Sequence, residues 1–400
     1  MFFITKDKTE CCGCTACKHS CPVNAISFQL DDEGFSYPQI DYNICIHCGL
    51  CEKVCPFNHP RYENNSNPDA YASMIKNKTE RVKSSSGGVF YKIASYIIAQ
   101  KGIVYGAIMD DNFIVKHIGV STIADLSSLR GSKYVQSELN DVFKQIKGQL
   151  DTGRLVYFVG TGCQVAGLKS FLRKKYPNLL TSDIVCHGVP SQKMFNMHLH
   201  YLEERYNAKI KEYSFRDYEK WQYVEKVTLL GDNGEEKNIS NKGYALNPYI
   251  YAFMNNYISR YSCYDCKFAR IPRQGDISLA DYWGVQRVFP NINSTNGVSL
   301  VLINSEKGKE VWERICDDLE SYETTMKDAA TENSNLLKSP ELPSLRKDIF
   351  GIINTKGYSY VVRNYFRPKN YFKLILKNYA SNLCVIRQLK SISDLYKKRK

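Results

Sequence analysis

The chain has 400 residues, 43% of them hydrophobic, and a formal net charge of +13. That length suffices for a large core divided into two or three units; no apolar stretch approaches the roughly 18 residues of a membrane span, and with Cys11 so near the opening MFFITKDKTE no cleavable leader is expected. Fifteen cysteines would suggest disulfides in a secreted chain, but nine of them fall between Cys11 and Cys55 at metal-ligand spacing, which points to a reducing, cytoplasmic setting.

The first element is a doubled pattern. CCGCTACKHSCP supplies Cys11, Cys14, Cys17 and Cys21, and CIHCGLCEKVCP supplies Cys45, Cys48, Cys51 and Cys55. Each reads CxxCxxCxxxCP, the spacing of a two-cluster bacterial ferredoxin, in which three cysteines of one run hold one 4Fe-4S cube and the fourth crosses to the other. One cube is therefore expected on Cys11, Cys14, Cys17 and Cys55, and a second on Cys45, Cys48, Cys51 and Cys21. Steps of three residues let a tight loop converge on one cube, and Pro22 and Pro56 end each turn because proline fixes its own backbone. Zinc sites favour two CxxC pairs well apart, so the four-cysteine runs argue against zinc. Electron transfer is the chemistry this module implies.

The ferredoxin domain is expected over 1–58, with the Asn- and Pro-rich segment 59–69 as a linker. Strands then alternate with helices. A strand near Ala70 to Ile75 precedes SSSGG, and a helix from about Val89 to Gln100 has apolar positions Val89, Ile93, Tyr96 and Ile97, with Gly102 as its cap. Strands are expected at Ile103 to Met109 and Phe113 to Val120, then a helix near Leu139 to Leu150. RLVYFVG with QVAGLKSFLRKK, and LLTSDIVC with SQKMFNMHLHYLEERY, each read as strand then helix. The fold class is α/β, or α+β overall: a small two-cluster ferredoxin-like domain, an α/β domain over 70–301 with parts at about 70–150 and 151–301, and a helical, basic C-terminal segment over 302–400.

Ligands gather beyond the carboxyl ends of strands in such sheets. Cys163 and Cys186 follow two of the expected strands, and Cys263 and Cys266 form a later CxxC pair. On spacing alone these four are a possible third cube, a redox or structural pair with two buried thiols, or simple packing residues. Cys12 reads as a bystander beside the first cube, and Cys316 and Cys384 as packing residues.

The order of SSSGGVF, LRGSKYVQS, VGTGCQVAGLKSFL, DIVCHGVPS, SFRD, CYDCKF and DISLADYWG resembles the coenzyme F-420 hydrogenase/dehydrogenase beta-subunit family of iron-sulfur flavoproteins, over roughly Asp69 to Val301. The resemblance implies an oxidoreductase in which Cys163, Cys186, Cys263 and Cys266 ligate a third 4Fe-4S cube beside FAD. It implies a flavin site at Ser86, Gly87, Gly88, Gly131, Ser132, Lys133, Tyr134, Thr161 and Gln164. The glycine pair before a helix suits a pyrophosphate, since free amides and the helix dipole favour an anion there. Lys133 is a candidate for stabilising an anionic flavin and His187 for supplying a proton. Two positions depart from the family pattern: Gly162 replaces a proline in the usual GTPCQ, and Ala280 replaces a glycine before Asp281. Neither removes a ligand, and nothing identifies the deazaflavin coenzyme as substrate.

The expected activity moves electrons from a reduced, low-potential ferredoxin-like carrier to a two-electron acceptor, since a flavin takes electrons singly and releases them as a hydride. Family members with the ferredoxin fusion resemble accessory proteins of bacterial surface-polysaccharide synthesis. An electron-transfer subunit that feeds a partner oxidoreductase subunit, and a structural or redox-sensing cluster protein, are the alternatives.

Each oxidised cube with four thiolates carries about −2, so two cubes bring the net charge to about +9 and three to about +7. From Val361 to Lys400 eleven Lys or Arg stand against one acid, Asp394. Phe372, Ile375, Leu376 and Tyr379 share one helical face of this tail. It is expected either to lie on the inner surface of an anionic membrane or to pack as an ordinary surface helix. No recognition motif accompanies the charge, which argues against nucleic acid.

Overall fold

The computed structural model describes residues 2–216 and 223–376. The ferredoxin segment contributes one antiparallel hairpin, β1 (Ile26–Leu30) and β2 (Ser36–Ile40). The main body is an eight-stranded sheet of β3 (Asp69–Ile75), β4 (Ile103–Met109), β5 (Val115–Val120), β6 (Val156–Thr161), β7 (Leu179–Ile184), β11 (Ile277–Asp281), β12 (Ser299–Ile303) and β13 (Leu319–Thr324). Between β7 and β11 the chain builds a separate antiparallel sheet of β8 (Lys209–Ser214), β9 (Val224–Leu230) and β10 (Glu236–Lys242).

The large sheet runs in the order β13-β3-β12-β11-β7-β6-β4-β5. Its middle strands β4, β6, β7 and β11 are parallel, and the flanking pairs are antiparallel. Register sets one edge of the sheet. Thr161, Ile184 and Leu279 align across β6, β7 and β11, while Asp281, Ser299 and Ser73 align across β11, β12 and β3. The segments carrying Cys163, Cys186, Asp281 and Ser85 therefore all leave the sheet along that edge, where α/β sheets collect ligands.

Near-continuous apolar strands are what a sheet covered on both faces requires. Val104, Tyr157, Leu180, Ile277 and Val301 meet Val89, Ile93, Ala94 and Ile97 of the Val89–Ala99 helix on one face. Tyr105, Val156, Phe158 and Leu179 meet the Val142–Asp151 and Gly162–Leu172 helices on the other. Cys12, Cys14, Ala16, Val54 and Phe57 of the ferredoxin segment belong to that second core, so the ferredoxin docks on the helix that begins at Cys163's turn.

A second attachment joins the β1–β2 hairpin to the C-terminal part. Buried Arg346, from the Leu345–Lys356 helix, donates to both Glu33 carboxylate oxygens, with Nη1 at 2.9 Å from Oε1. Ser191 Oγ donates to the Glu33 carbonyl at 2.6 Å. Charge-assisted pairs of this bidentate kind fix orientation as well as distance.

Several elements differ from the expectation. The chain returns to the sheet after residue 301: β13 forms its edge against β3, so 302–400 is not simply a helical segment. Its polar run LESYET reads poorly as a strand because an edge strand buries little. The strand expected from Phe113 starts at Val115, because Asp110 accepts from the Asn112 and Ile114 amides and its carbonyl accepts from Phe113 N, claiming those residues for a turn. The left-handed residue after the Val89–Ala99 helix is Lys101, with φ 59°, while the Gly102 amide closes the cap by donating to Ile97 O. The described part of the basic tail is helical over 371–376, with Phe372 and Leu376 exposed. Tyr379, Cys384 and the rest of that tail lie outside the described residues.

Candidate functional site

The two cysteine loops share a backbone. In the first, Gly13 and Thr15 have positive φ; in the second, His47 and Gly49 do, at the same offsets from Cys11 and Cys45. Such left-handed positions turn a chain tightly enough for three-residue steps to face one point. Short helices, Ala16–Ser20 and Leu50–Lys53, then follow each loop.

The thiols gather in three cavities. Cys11, Cys14, Cys17 and Cys55 line one, walled by Phe2, Phe28 and Phe57. Cys21, Cys45, Cys48 and Cys51 line a second, where Cys48 is exposed. The fourth cysteine of each run thus sits with the other run's trio. Cys163, Cys186, Cys263 and Cys266, from three separate stretches of chain, line a third. Among the described residues no three His, Cys, Asp or Glu side chains converge as ligands of a single ion. A lone zinc needs its sulfurs about 2.3 Å from one point, whereas a cube spreads four thiolates over four irons.

Burial and mutual repulsion shape the third group. Cys163 follows β6 in the first turn of its helix, and Thr161 Oγ1 lies 3.1 Å from its sulfur. The Gly188 amide lies 3.4 Å from the Cys186 sulfur. Burial, then the neighbouring Cys163, pushes the Cys186 thiol up to about 12, and burial with Cys163 pushes Cys266 up to about 11. Cys263 is raised by burial and by Cys186, Cys266 and Cys163. Four thiolates in so dry a cavity are stable only against a metal cation, which takes the thiolate as its ligand. The first group behaves alike: burial, then Cys11 and Cys55, raises Cys17 well above an ordinary thiol. The donor sets and the cavities fit 4Fe-4S clusters.

Two residues between the first and third cavities escaped the sequence. Cys12, expected as a bystander beside the first cube, lines both the first and the third cavity. Arg260, which is 1% exposed, lines the third cavity and donates from Nε to Cys11 O at 2.7 Å and from Nη2 to Ser36 O at 2.8 Å. Gln136 completes the wall, donating to Cys12 O at 3.0 Å and accepting from Arg260 Nη1 at 3.2 Å. No local pattern marks Arg260, although it stands three residues before the CxxC pair.

The nine flavin candidates divide. Ser86, Gly87 and Gly88 form the turn into the Val89–Ala99 helix, and among the described residues the Gly87 and Gly88 amides donate to no acceptor. Gly87 must be glycine: a Cβ there would stand 2.2 Å from Ser73 O. Gly131, Ser132 and Tyr134 come alongside, with Ser132 N donating to Ser85 Oγ at 2.8 Å. Buried Arg216 ties the motifs together, donating to Tyr134 OH at 2.9 Å, to Asp281 Oδ2 at 3.0 Å and to Ser85 O at 3.2 Å, with Tyr223 and Trp283 against its guanidinium. Its Nε is buried without a partner among the described residues. Free amides and an orphaned cationic N–H suit an anionic pyrophosphate.

The remaining candidates each have partners within the protein. Gln164 is buried in a helix cap, accepting from Thr161 N at 2.9 Å and donating to Ser137 Oγ at 2.9 Å. Lys133 Nζ donates to Ser128 O at 3.2 Å and Arg130 O at 2.8 Å, at the end of the Ile123–Leu129 helix, and desolvation lowers it to about 7. His187 Nδ1 lies 2.9 Å from Asn335 Nδ2, its ring packs edge-on to Phe253, and burial lowers its pKa. Cys316, half-buried with its thiol 3.4 Å from Glu313 O, stands apart from all three cavities.

Residues 153–328 match the family described as the C terminus of the coenzyme F420 hydrogenase/dehydrogenase beta subunit, and residues 10–59 match the 4Fe-4S dicluster domain. The chain thus carries a stretch similar to a dicluster ferredoxin domain, followed by one similar to the C-terminal domain of that beta subunit. Over 45 residues, 11% of the chain and 26% of the relative, it is 40% identical to the ferredoxin-type protein NapF of Haemophilus influenzae. Over 46 residues, 12% of the chain and 25% of the relative, it is 41% identical to an uncharacterized ferredoxin of Methanocaldococcus jannaschii. The chain spans about a quarter of the length of these curated relatives. A chain from the xenon-derivatised F420-reducing NiFe hydrogenase complex of Methanosarcina barkeri is 18% identical, with a TM-score of 0.44, covering 76% of this chain and 94% of that one.

Proposed function

We propose that the protein is an iron-sulfur flavoprotein oxidoreductase that draws low-potential electrons from a ferredoxin-like carrier and delivers them in pairs to an acceptor. Cys11, Cys14, Cys17 and Cys55 hold one 4Fe-4S cluster, Cys45, Cys48, Cys51 and Cys21 a second, and Cys163, Cys186, Cys263 and Cys266 a third. The observation that carries the proposal is the third cavity, where four thiols from three separate stretches of chain meet and share Cys12 with the ferredoxin's own cavity.

Bound FAD supplies the step from single electrons to pairs. Ser86, Gly87 and Gly88 would hold its pyrophosphate through backbone amides, Gly131 and Ser132 would line the same turn, and Arg216, which holds Tyr134 and Asp281, would supply a cation there. Thr161 keeps a hydroxyl on Cys163, at the side of the sheet edge nearest the cysteines. Lys133, whose ammonium donates to the Ser128 and Arg130 carbonyls and whose pKa burial lowers, is the proposed cation beside the same turn. A role in surface-polysaccharide synthesis belongs to the same proposal and rests on the ferredoxin fusion.

One observation favours a partner subunit as the immediate acceptor or donor. Ile4, Tyr42 and Ile46 line the Cys48 cavity and, with Ile44, are exposed. Exposed apolar residues around an accessible thiol group suit transient docking. Among the described residues no helix is long and apolar enough to cross a membrane, and exposed Phe372 and Leu376 leave peripheral contact through 361–400 as part of the proposal.

Anaerobically reconstituted protein is mixed with a reduced low-potential carrier and a small two-electron acceptor, with no partner present. Oxidation of the carrier supports the reductase; a bound but idle flavin assigns the chain to the electron-transfer subunit, and absence of flavin removes the flavoprotein reading.

A further inference from the structure

We infer that Arg260 is the shared counter-cation of the first and third cysteine groups, a positioning residue that raises the reduction potential of both. The inference takes both groups as cluster sites, as proposed above. Arg260 is a charge with no ordinary partner: it is buried, yet among the described residues no carboxylate pairs with it. Its donors end on Cys11 O, Ser36 O, Gln136 Oε1 and the Cys11 sulfur, the last at 3.8 Å. The Tyr37 ring lies 4.1 Å from its Cζ and the Phe35 ring 5.5 Å, contacts that favour a cation without neutralising it.

A buried guanidinium left without an anion is costly, and proteins almost always pair one. Arg216 with Asp281, Arg273 with Asp183 and Arg346 with Glu33 obey that rule, whereas Arg81, 8% exposed, is held by the Gly297 and Asn293 carbonyls. For Arg260 the anions within reach are thiolates. One group begins at Cys11, which it touches; the other lines the cavity that it walls. Its position is set from both sides, by the Cys11 and Ser36 carbonyls of the ferredoxin and by its own amide donating to Val189 O, three residues after Cys186.

Adding an electron to a cluster adds a negative charge, which a fixed cation in a dry site stabilises. Cys12 lines both cavities, and Arg260 touches the Cys11 sulfur of the first group while walling the third, so one cation acts on both. The Cys21, Cys45, Cys48 and Cys51 cavity has no such wall residue and serves as the internal control.

The experiment compares wild type, Arg260→Gln and Arg260→Lys as full chains reconstituted anaerobically, measuring iron per chain and then reduction potentials by EPR-monitored titration. With iron retained, Arg260→Gln is expected to lower two of three potentials by at least about 59 mV each, a tenfold fall in the one-electron equilibrium constant. The third stays in place. Arg260→Lys is expected to hold all three within that margin, though it forms fewer hydrogen bonds. Unchanged potentials in Arg260→Gln, or an equal fall in both variants, would overturn the inference. If Arg260→Gln fails to fold, Arg260→Lys decides it: a tenfold shift despite the retained charge rejects it. Wild-type iron near eight rather than twelve atoms per chain would instead reject the third cluster itself, whatever the potentials do.

Discussion

Gly167 faces Cys14 so closely that a Cβ built on the glycine would stand 2.7 Å from the Cys14 Cβ and 3.0 Å from its sulfur. Gly167 lies four residues after Cys163, in the Gly162–Leu172 helix, so the bare backbone there lets the ferredoxin loop rest on the helix that carries the third group. In an isolated helix Gly→Ala is worth about 1 kcal/mol of stabilisation. Here the clash is with a side-chain root that cannot swing away, and overpacking of this kind costs about 1–3 kcal/mol. Gly167→Ala is therefore expected to lower stability in anaerobic denaturant unfolding. A more stable variant would show that the ferredoxin does not dock on this face.

Arg216 pairs with Asp281 and holds the Ser85 carbonyl of the turn proposed to take FAD. Removing one partner of a buried pair strands the other charge, at a cost of about 3–5 kcal/mol; Asp281 is partly exposed, so the lower end applies. Asp281→Ala is expected to unfold earlier and to bind FAD in less than stoichiometric amount, read by flavin absorbance after denaturation. Full flavin content in a destabilised chain would separate Asp281 from the flavin.

His117 sets an acid limit. It is 4% exposed, its Nε2 lies 3.0 Å from Val159 O, and burial holds it at about 4 against an ordinary 6.5. Between pH 6.5 and 4 the unfolded chain takes up a proton that the folded chain refuses. Stability is thus complete above pH 6.5 and falls by about 3 kcal/mol as the pH drops to 4. The difference in unfolding midpoint between pH 7 and pH 5 is expected to be smaller in His117→Gln than in wild type. Parallel profiles would contradict it.

Ile46, exposed beside Cys48, tests the docking face. Ile46→Lys is expected to slow reduction by a protein carrier about tenfold while leaving iron content and reduction by dithionite unchanged, as measured by stopped-flow absorbance. Equal slowing with both reductants would place the fault in the cluster site rather than at the surface.

The ferredoxin cysteines were legible because ligand spacing is local: three-residue steps and a shared pair of left-handed positions define each loop within one stretch of chain. The strand-helix alternation from β4 to β7 was legible for the same reason, in apolar runs such as RLVYFVG. The meeting of Cys163, Cys186, Cys263 and Cys266 came only through family resemblance, since register across β6, β7 and β11 decides it. Cys12 and Arg260 were missed because their partners belong to other segments and meet them only once the ferredoxin docks. The sheet β8 to β10 was missed because a bulge between Ile210 and Glu212 sets the buried Ile210 and Tyr213 three residues apart and breaks the period-two pattern of a strand. Lys133 and Gln164, expected beside the flavin, also close helix ends, a use the motif alone did not show.

Iron content tests the central claim most directly. Native protein, reconstituted anaerobically, is expected to hold about twelve iron atoms per chain, and Cys263→Ala about eight. Eight in both would contradict a third cluster on Cys163, Cys186, Cys263 and Cys266.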